Sequence, residues 1–239
     1  MDFHSEVETL ESVAERFDSA NDFDAQYQRF FGRIVGERLV GKVCLELGCG
    51  SGVMSEVLAR YVAALDMVDG SESYLARARE KVRGKEVRFF NSLFESFEPD
   101  RRYDAIVASH VLEHVEDPVA ILVRMKSWLR PSGVVFAFVP NANSIHRLLG
   151  VAMGLAENVY ELSERDRLVN HRRVYDAASL AADVRAAGLE PGTLCGVLVK
   201  PLHNAMMESL PQALIDGFLE LGRRIPQYAA DIYYECKLP

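Results

Sequence analysis

Val43-Cys44-Leu45-Glu46-Leu47-Gly48-Cys49-Gly50-Ser51-Gly52 decides the fold: a buried strand runs into a glycine-rich turn and then a helix. Glycines in such a turn permit positive φ and let backbone amides approach a ligand closely. The dinucleotide fingerprint asks for G-x-G-x-x-G, whereas this loop reads G-x-G-x-G, with Gly52 one position early. That shift favours a nucleoside without a pyrophosphate. Nineteen residues past Gly50 stands Asp69, at the end of the second apolar run, where a carboxylate accepts hydrogen bonds from both ribose hydroxyls. Loop and acid together are far more specific than either half.

Outward from the loop, short apolar runs alternate with helical stretches, the pattern of a parallel sheet covered on both faces. The runs are Val43 to Leu47, Val62 to Val68, Val87 to Phe90, Tyr103 to Ala108 and Val134 to Val139. A helix between the fourth and fifth has Asp117 at its N-cap, Pro118 at its first position, and a stop at Pro131-Ser132-Gly133. Upstream, Val7, Leu10, Val13, Ala14 and Phe17, then Tyr27, Phe30, Phe31, Ile34, Val35 and Leu39, recur at helical spacing and predict an N-terminal cap over 1–41. Tyr27 reads as core. Downstream, residues 141–175 interrupt the alternation as an insertion, with a capping box at Ser163 and Asp166. The pattern returns as a helix from Asp176 to Ala187 closed by Gly188, a strand at Leu194 to Val199, a helix from Pro211 to Ile225 and a strand at Ile232 to Cys236. The expectation is one α/β domain over 1–239, with the cofactor half at 42–140 and the second half of the sheet at 176–239. Ligands of an open α/β sheet sit beyond the carboxyl ends of its strands.

The loop resembles the first motif of the class I S-adenosylmethionine-dependent methyltransferases. Val68-Asp69-Gly70-Ser71 is similar to their acidic second motif, Tyr103-Asp104-Ala105-Ile106-Val107 to their fourth strand, and Leu129-Arg130-Pro131-Ser132-Gly133-Val134 to the turn into the fifth. The resemblance implies a Rossmann-like, seven-stranded, mostly parallel sheet and S-adenosylmethionine as cofactor. It assigns Glu46 and the loop at Gly48, Cys49 and Gly50 to the methionine end, Asp69 to the ribose, and Gly70 and Ser71 to the adenine. Ser109 closes the cofactor set. Where the family carries a Gly-Asp-Ala-like step after the third strand, its acid reaching the adenine amino group, this chain has Asn91, Ser92 and Leu93; Ser92 and Leu93 stand at the adenine positions, and a serine oxygen can accept one hydrogen bond there.

Ser109-His110-Val111-Leu112-Glu113-His114-Val115-Glu116-Asp117-Pro118 is the second informative stretch. As a bare string His110-x-x-Glu113-His114 matches the inverted zinc peptidases, but that motif needs a continuous helix and a third ligand, and this one leaves a strand and meets a cap. It also resembles the Val-Leu-Glu-His-Val segment of small-molecule methyltransferases, including those of ubiquinone biosynthesis, and of RNA-end methyltransferases that use a divalent metal. In some of those relatives glutamate stands at the position of His110 and joins the equivalents of Glu113 and His114 around the ion. Here Glu113 and His114 are read as shaping the turn, with no metal expected.

A hydroxyl or ammonium acceptor must lose a proton as it is methylated, and histidine suits that task. His110 is the first choice as general base. His171 opens His171-Arg172-Arg173-Val174-Tyr175, which resembles the H-x-R-x-[YF] stretch of many relatives, and is the second catalytic candidate. His114, Asn141, His146, Tyr160, Arg172 and Tyr175 are the candidate acceptor-binding residues, arginine being able to clamp a carboxylate or phosphate.

Composition sets the partners. Among 239 residues, 35 Asp and Glu against 27 Lys and Arg give a formal charge of −8, without the basic surface nucleic acid requires. A small-molecule methyl acceptor is expected instead. No apolar stretch reaches the roughly 20 residues of a membrane span, and the polar start lacks the regions of a signal peptide, so the expected compartment is the cytoplasm. Cys44, Cys49, Cys195 and Cys236 form no metal or redox motif and read as free thiols. The helix from Pro211 to Ile225 packs either internally or in a homodimer. Two other functions fit parts of the pattern: a cofactor-binding regulator without turnover, and an NAD-dependent oxidoreductase domain, which the early third glycine disfavours.

Overall fold

The computed structural model describes residues 3–239; Met1 and Asp2 of the expected cap lie outside the described residues. Helices α1 (Phe3–Arg16) and α2 (Asp24–Gly36) precede β1 (Val43–Leu47), α3 (Val53–Leu58), β2 (Ala64–Asp69), α4 (Glu72–Lys81), β3 (Val87–Asn91) and β4 (Tyr103–Ser109). There follow α5 (Pro118–Trp128), β5 (Leu129–Pro140), α6 (Ile145–Ala152), α7 (Glu164–Leu168), α8 (Ala177–Ala186), β6 (Glu190–Val197), α9 (Asn204–Met207), α10 (Gln212–Arg224) and β7 (Asp231–Lys237). The seven strands lie in the order β3-β2-β1-β4-β5-β7-β6. β1 pairs in parallel with β2 and β4, and β2 with β3, while β6 and β7 are antiparallel. The expected seven-stranded, mostly parallel α/β sheet is thus the observed one.

The chain forms two compact units. One comprises the residues up to Ser109 together with Arg124–Val135. Its strands read as continuous apolar runs because both faces are covered: Leu45, Leu47, Leu65, Met67 and Ile106 are all fully buried. Asp66 is the polar residue set among them. The β2–β3 register places it opposite Arg88, and its carboxylate accepts from Arg88 Nε at 2.8 Å, Arg101 Nε at 2.9 Å and Tyr103 OH at 2.7 Å. Burial alone would raise the carboxyl pKa, but these bonds and the arginine charge hold it below the ordinary range.

The other unit comprises His110–Val123 and Phe136–Pro239. Leu180 and Val184 of α8, Val197 of β6 and Ile232 of β7 are fully buried in it. Asp176 caps α8 and Ser163 caps α7, each in a reciprocal box, and Asp166 is the third residue of α7 as expected. At Gly222 of α10 a Cβ would lie 2.3 Å from Leu198 N, so only glycine lets this helix approach the backbone at the end of β6.

Several strand boundaries differ from expectation, two of them for a backbone reason. β5 begins at Leu129 instead of Val134, because the Pro131-Ser132-Gly133 turn is folded tightly into the strand: Ser132 has φ +67, and a Cβ on Gly133 would stand 2.9 Å from the Arg130 carbonyl. β6 ends at Val197 instead of Val199, since Leu198 turns to φ +64.

Candidate functional site

In the unit that carries β1, the glycine loop is built as its sequence demands. Gly48, Gly50 and Gly52 have φ of +70, +50 and +81. At Gly52 a Cβ would lie 3.0 Å from the Ala78 backbone, so the loop seats directly on α4. At Gly50 a Cβ would meet nothing within 4 Å, which leaves open space over that peptide. Asp69 Oδ2 accepts from Gly50 N and Oδ1 from Ser71 N, both at 2.9 Å. Its carboxylate is therefore oriented before any ligand arrives, with lone pairs remaining. Burial pushes Asp69 up to about 6 against the pull of the two amides. Glu46 is buried, its Oε2 has no hydrogen-bond partner, and burial, reinforced by the nearby Asp69 charge, pushes it up to about 8.

The cofactor positions divide. Gly70 touches both Leu93 and Leu10: a Cβ there would stand 3.0 Å from Leu93 Cδ2 and 2.4 Å from Leu10 Cδ1. Leu10, expected only as part of the apolar face of the cap, and Glu11 were not among the candidate site residues. Glu11 Oε1 accepts from Glu72 N at 2.6 Å, so α1 lies over the start of α4. Ser71 is fully buried and its hydroxyl oxygen caps α4 by accepting from Tyr74 N. Ser92 Oγ donates to its neighbour's carbonyl at Leu93, and Cys49 is buried, its thiol 3.6 Å from the Gly50 carbonyl oxygen. Ser109 is the half-buried last residue of β4.

In the other unit the turn over residues 110–116 is held by two arginines. Arg173 NH1 donates to the carbonyl of Leu112 at 2.8 Å and also to that of Val115; NH2 reaches Glu116 at 3.0 Å. Arg172 donates its amide to the Glu113 carbonyl and its Nε to that of His114. The bonds formed by Arg172 are those of a scaffold for the turn, where the sequence suggested an acceptor clamp. On this scaffold Glu113, His114 and His171 come together, with one ligand atom from each lying within 4.8 Å of the others. Glu113 is fully buried, and neither carboxylate oxygen has a hydrogen-bond partner. Its pKa is raised by burial, with His110 and His171 opposing. His171 Nε2 stands 3.9 Å from Glu113 Oε1, while Nδ1 donates to Asp166 Oδ1 at 2.9 Å. Asp166, bonded also by Arg147 NH2 at 2.6 Å, thereby fixes which His171 nitrogen keeps its lone pair. His114 packs edge-on to His171 at 4.6 Å and is held neutral, its pKa pushed down to about 3 by burial and by its histidine neighbours.

His110 leaves β4 with φ +56 and turns its Nε2 to Asp231 Oδ1 at 3.1 Å. His146 is neutral through burial and keeps an unpartnered Nδ1. Three of the acceptor-binding candidates already have hydrogen-bond partners within the protein. Asn141 is buried and spends its side chain on Gln227 O, Ala229 O and Asn143 N. Tyr175 is buried with its hydroxyl on Asp183, and the exposed Tyr160 donates to Asp176. All three stabilise the insertion because tertiary packing supplied partners that local spacing did not indicate.

A family described as Methyltransferase domain matches residues 19–193. The ubiquinone biosynthesis O-methyltransferase of Azotobacter vinelandii is 32% identical over 208 residues, covering 83% of this chain and 88% of that protein. The protein of the same name from Thiobacillus denitrificans is 32% identical over 168 residues, covering 69% and 71%. In fold the chain is similar to the Burkholderia thailandensis 1,6-didemethyltoxoflavin-N1-methyltransferase, with a TM-score of 0.64 at 16% identity over 100% of this chain and 91% of that one. The N-methyltransferase NodS of Bradyrhizobium japonicum gives a TM-score of 0.62 at 14% identity over 99% and 98%.

Proposed function

Because the chain belongs to the class I S-adenosylmethionine-dependent methyltransferases, we propose that it methylates a hydroxyl oxygen of a small molecule, with Glu113, His114 and His171 as a divalent-cation site. The enzyme uses S-adenosylmethionine, and the oxidoreductase alternative falls with that membership. The observation that carries the cofactor half is Asp69, held by the amides of Gly50 and Ser71 at the end of β2. Asp69 would receive the ribose hydroxyls and the orphaned Glu46 oxygen the cationic amine of the methionine end. The hydroxyl assignment draws on the relatives named O-methyltransferases.

Bound S-adenosylmethionine supplies a methyl group activated on a sulfonium. Displacement at that methyl is in line, so holding the acceptor at near-attack distance is the main task of the protein, one that can contribute about 7 to 11 kcal/mol. The acceptor hydroxyl must also become a better nucleophile. Two imidazoles and a carboxylate form a donor set suited to a divalent cation, and the buried, unpartnered Glu113 oxygens fit one. A cation there would act as a Lewis acid that makes a bound hydroxyl more acidic. Asp166 orients His171 for that role and Arg172 and Arg173 hold the turn. This departs from the expectation of no metal, which had treated Glu113 and His114 without His171. Among the described residues no helix is long and apolar enough to cross a membrane; with the acidic charge, this supports a cytoplasmic enzyme acting on a small molecule and not on nucleic acid.

Calorimetric titration with S-adenosylmethionine tests the reading; a folded chain that does not bind it at millimolar concentration sinks it. Asp69→Ala is expected to weaken binding by about 1.5 to 3 kcal/mol, the cost of unmaking charged hydrogen bonds. Unchanged affinity would remove Asp69 from the site.

Glu46 adds a proton count. With a pKa of about 8 in the free protein it is largely protonated at pH 7, and a cationic ligand group beside it favours the ionised form. Binding below pH 8 therefore releases a proton, and affinity rises with pH until Glu46 is ionised before binding. Titrations at pH 7 in buffers of differing ionisation enthalpy should show roughly one proton released, and Glu46→Gln should abolish that release. Equal enthalpies in all buffers would exclude it.

A further inference from the structure

Leu10 of α1 and Leu93, which follows β3, converge on Gly70, the residue next to Asp69. A Cβ on Gly70 would stand 2.4 Å from Leu10 Cδ1 and 3.0 Å from Leu93 Cδ2, so both leucine ends rest against that α-carbon. Each leucine is only half-buried. Leu10 shares a helix face with Val13 and Ala14, which are buried. The packed face of α1 thus runs on, one turn earlier, to a leucine left partly uncovered. Two sets of bonds to α4 hold α1 in this place. Glu11 Oε1 accepts from Glu72 N at 2.6 Å and from Ser73 N at 3.4 Å, the first two amides of α4, which have no partner within the helix. Tyr74 OH donates to Phe17 O at 2.8 Å. Burial would raise the Glu11 carboxyl, but bonds from Ser73, Glu72 and Ser71 hold it below the ordinary range, so it meets the helix N-terminus as a carboxylate. All of these residues belong to the unit of the glycine loop.

We propose that Leu10 is a cofactor-binding residue, forming with Leu93 the apolar wall against which the adenine ring of S-adenosylmethionine rests, and that Glu11 is the positioning residue that holds it there; this rests on the assignment of Asp69 to the ribose above. The base hangs from the sugar that Asp69 receives, and the leucine pair closes on the next residue of the chain. A purine offers flat, weakly polar faces that aliphatic side chains cover well, and apolar surface exposed in the free protein leaves water when such a ring binds. Polar recognition of the base has less to draw on in this chain. Ser92 and Leu93 stand where the family carries its acid, and the Ser92 hydroxyl already donates to Leu93 O. Apolar contact therefore carries more of the base recognition, and part of that contact comes from α1, outside the sheet.

Two measurements test the wall, with S-adenosylhomocysteine as the probe because it needs no acceptor and does not turn over. By calorimetry, Leu10→Ala should weaken its binding roughly tenfold, as loss of part of a buried leucine does. Leu10→Met, of similar volume, should restore it to within about threefold of wild type. Glu11→Ala should weaken binding by no more than Leu10→Ala, and the double variant should bind no worse than Leu10→Ala, because Glu11 acts through that side chain. In the wild type, linkage requires a ligand that touches α1 to oppose its opening by the same factor, so amide exchange at residues 10–14 should slow roughly tenfold at saturation. A Leu10→Ala affinity within about twofold of wild type, or α1 exchange that the saturating probe leaves unaltered, overturns the wall while the cofactor reading stands. Glu11→Ala that binds as wild type, or whose loss adds in full to that of Leu10→Ala, removes Glu11 as the positioning residue. Wild type that does not bind the probe overturns the cofactor reading itself. The exchange measurement uses no variant, so it decides the wall even if Leu10→Ala does not fold.

Discussion

Glu113→Gln is expected to abolish stoichiometric binding of a divalent cation and to lower kcat by about 10² to 10⁴, the several kcal/mol that a Lewis acid contributes. A carboxylate buried without a partner is costly, because neither oxygen recovers the hydrogen bonds it made in water. Both Glu113 oxygens are in that state, beside a His171 Nε2 that keeps the ring's lone pair because Nδ1–H donates to Asp166. The arrangement costs stability when empty and recovers it on binding a cation. Gln keeps the shape and removes the charge, so without metal the variant should unfold at a temperature no lower than the metal-free wild type. Elemental analysis after dialysis against Zn²⁺ or Mg²⁺ gives the first readout, and thermal unfolding with and without chelator the second. If wild type and variant take up equal metal and turn over equally fast, Glu113 is no ligand.

The second large effect concerns stability. Asp66→Ala is expected to cost about 3 to 5 kcal/mol of unfolding free energy, as removal of one partner from a buried ionic cluster does. Asp66 is fully buried, and its loss strips the buried Tyr103 hydroxyl and two arginines of their common acceptor. Glu86, which pairs with the same Arg101 but is largely exposed, serves as the control; Glu86→Ala should stay within about 0.5 kcal/mol. The acid dependence has a definite sign. The Asp66 pKa is lowered in the folded protein from 3.8, so its stabilisation is complete above that pH and is lost as pH falls through the folded value. Denaturant unfolding at pH 7 and at pH 3 should show the gap between wild type and variant narrowing at the lower pH. A constant gap would mean the cluster contributes by packing alone.

Much of this molecule was readable because its signals are local. Asp117 accepts from Ala120 N, and Ser163 and Asp166 close their box over three residues; such contacts depend only on short spacing, and periodicity places them. Asp69 likewise stands at the end of β2, since a strand end following a glycine loop has few places to go. Other surroundings were not readable, for the opposite reason. Asn141, Tyr175 and Tyr160 have the chemistry of a binding surface, but each found a partner from packing, Asn141 as far away as Ala229.

The sequence by itself determined the alternation of strands and helices, the strained glycine loop with its acid, and through them the family and the cofactor. Only the tertiary structure decided what surrounds the histidines. It brought His171 to Glu113 and His114, left the Glu113 oxygens without partners, and set Asp231 against His110 across 121 residues. The physical reason is that burial and hydrogen bonding between distant residues depend on strand register and on the path of an insertion. Neither is written in hydrophobic period or in any short motif.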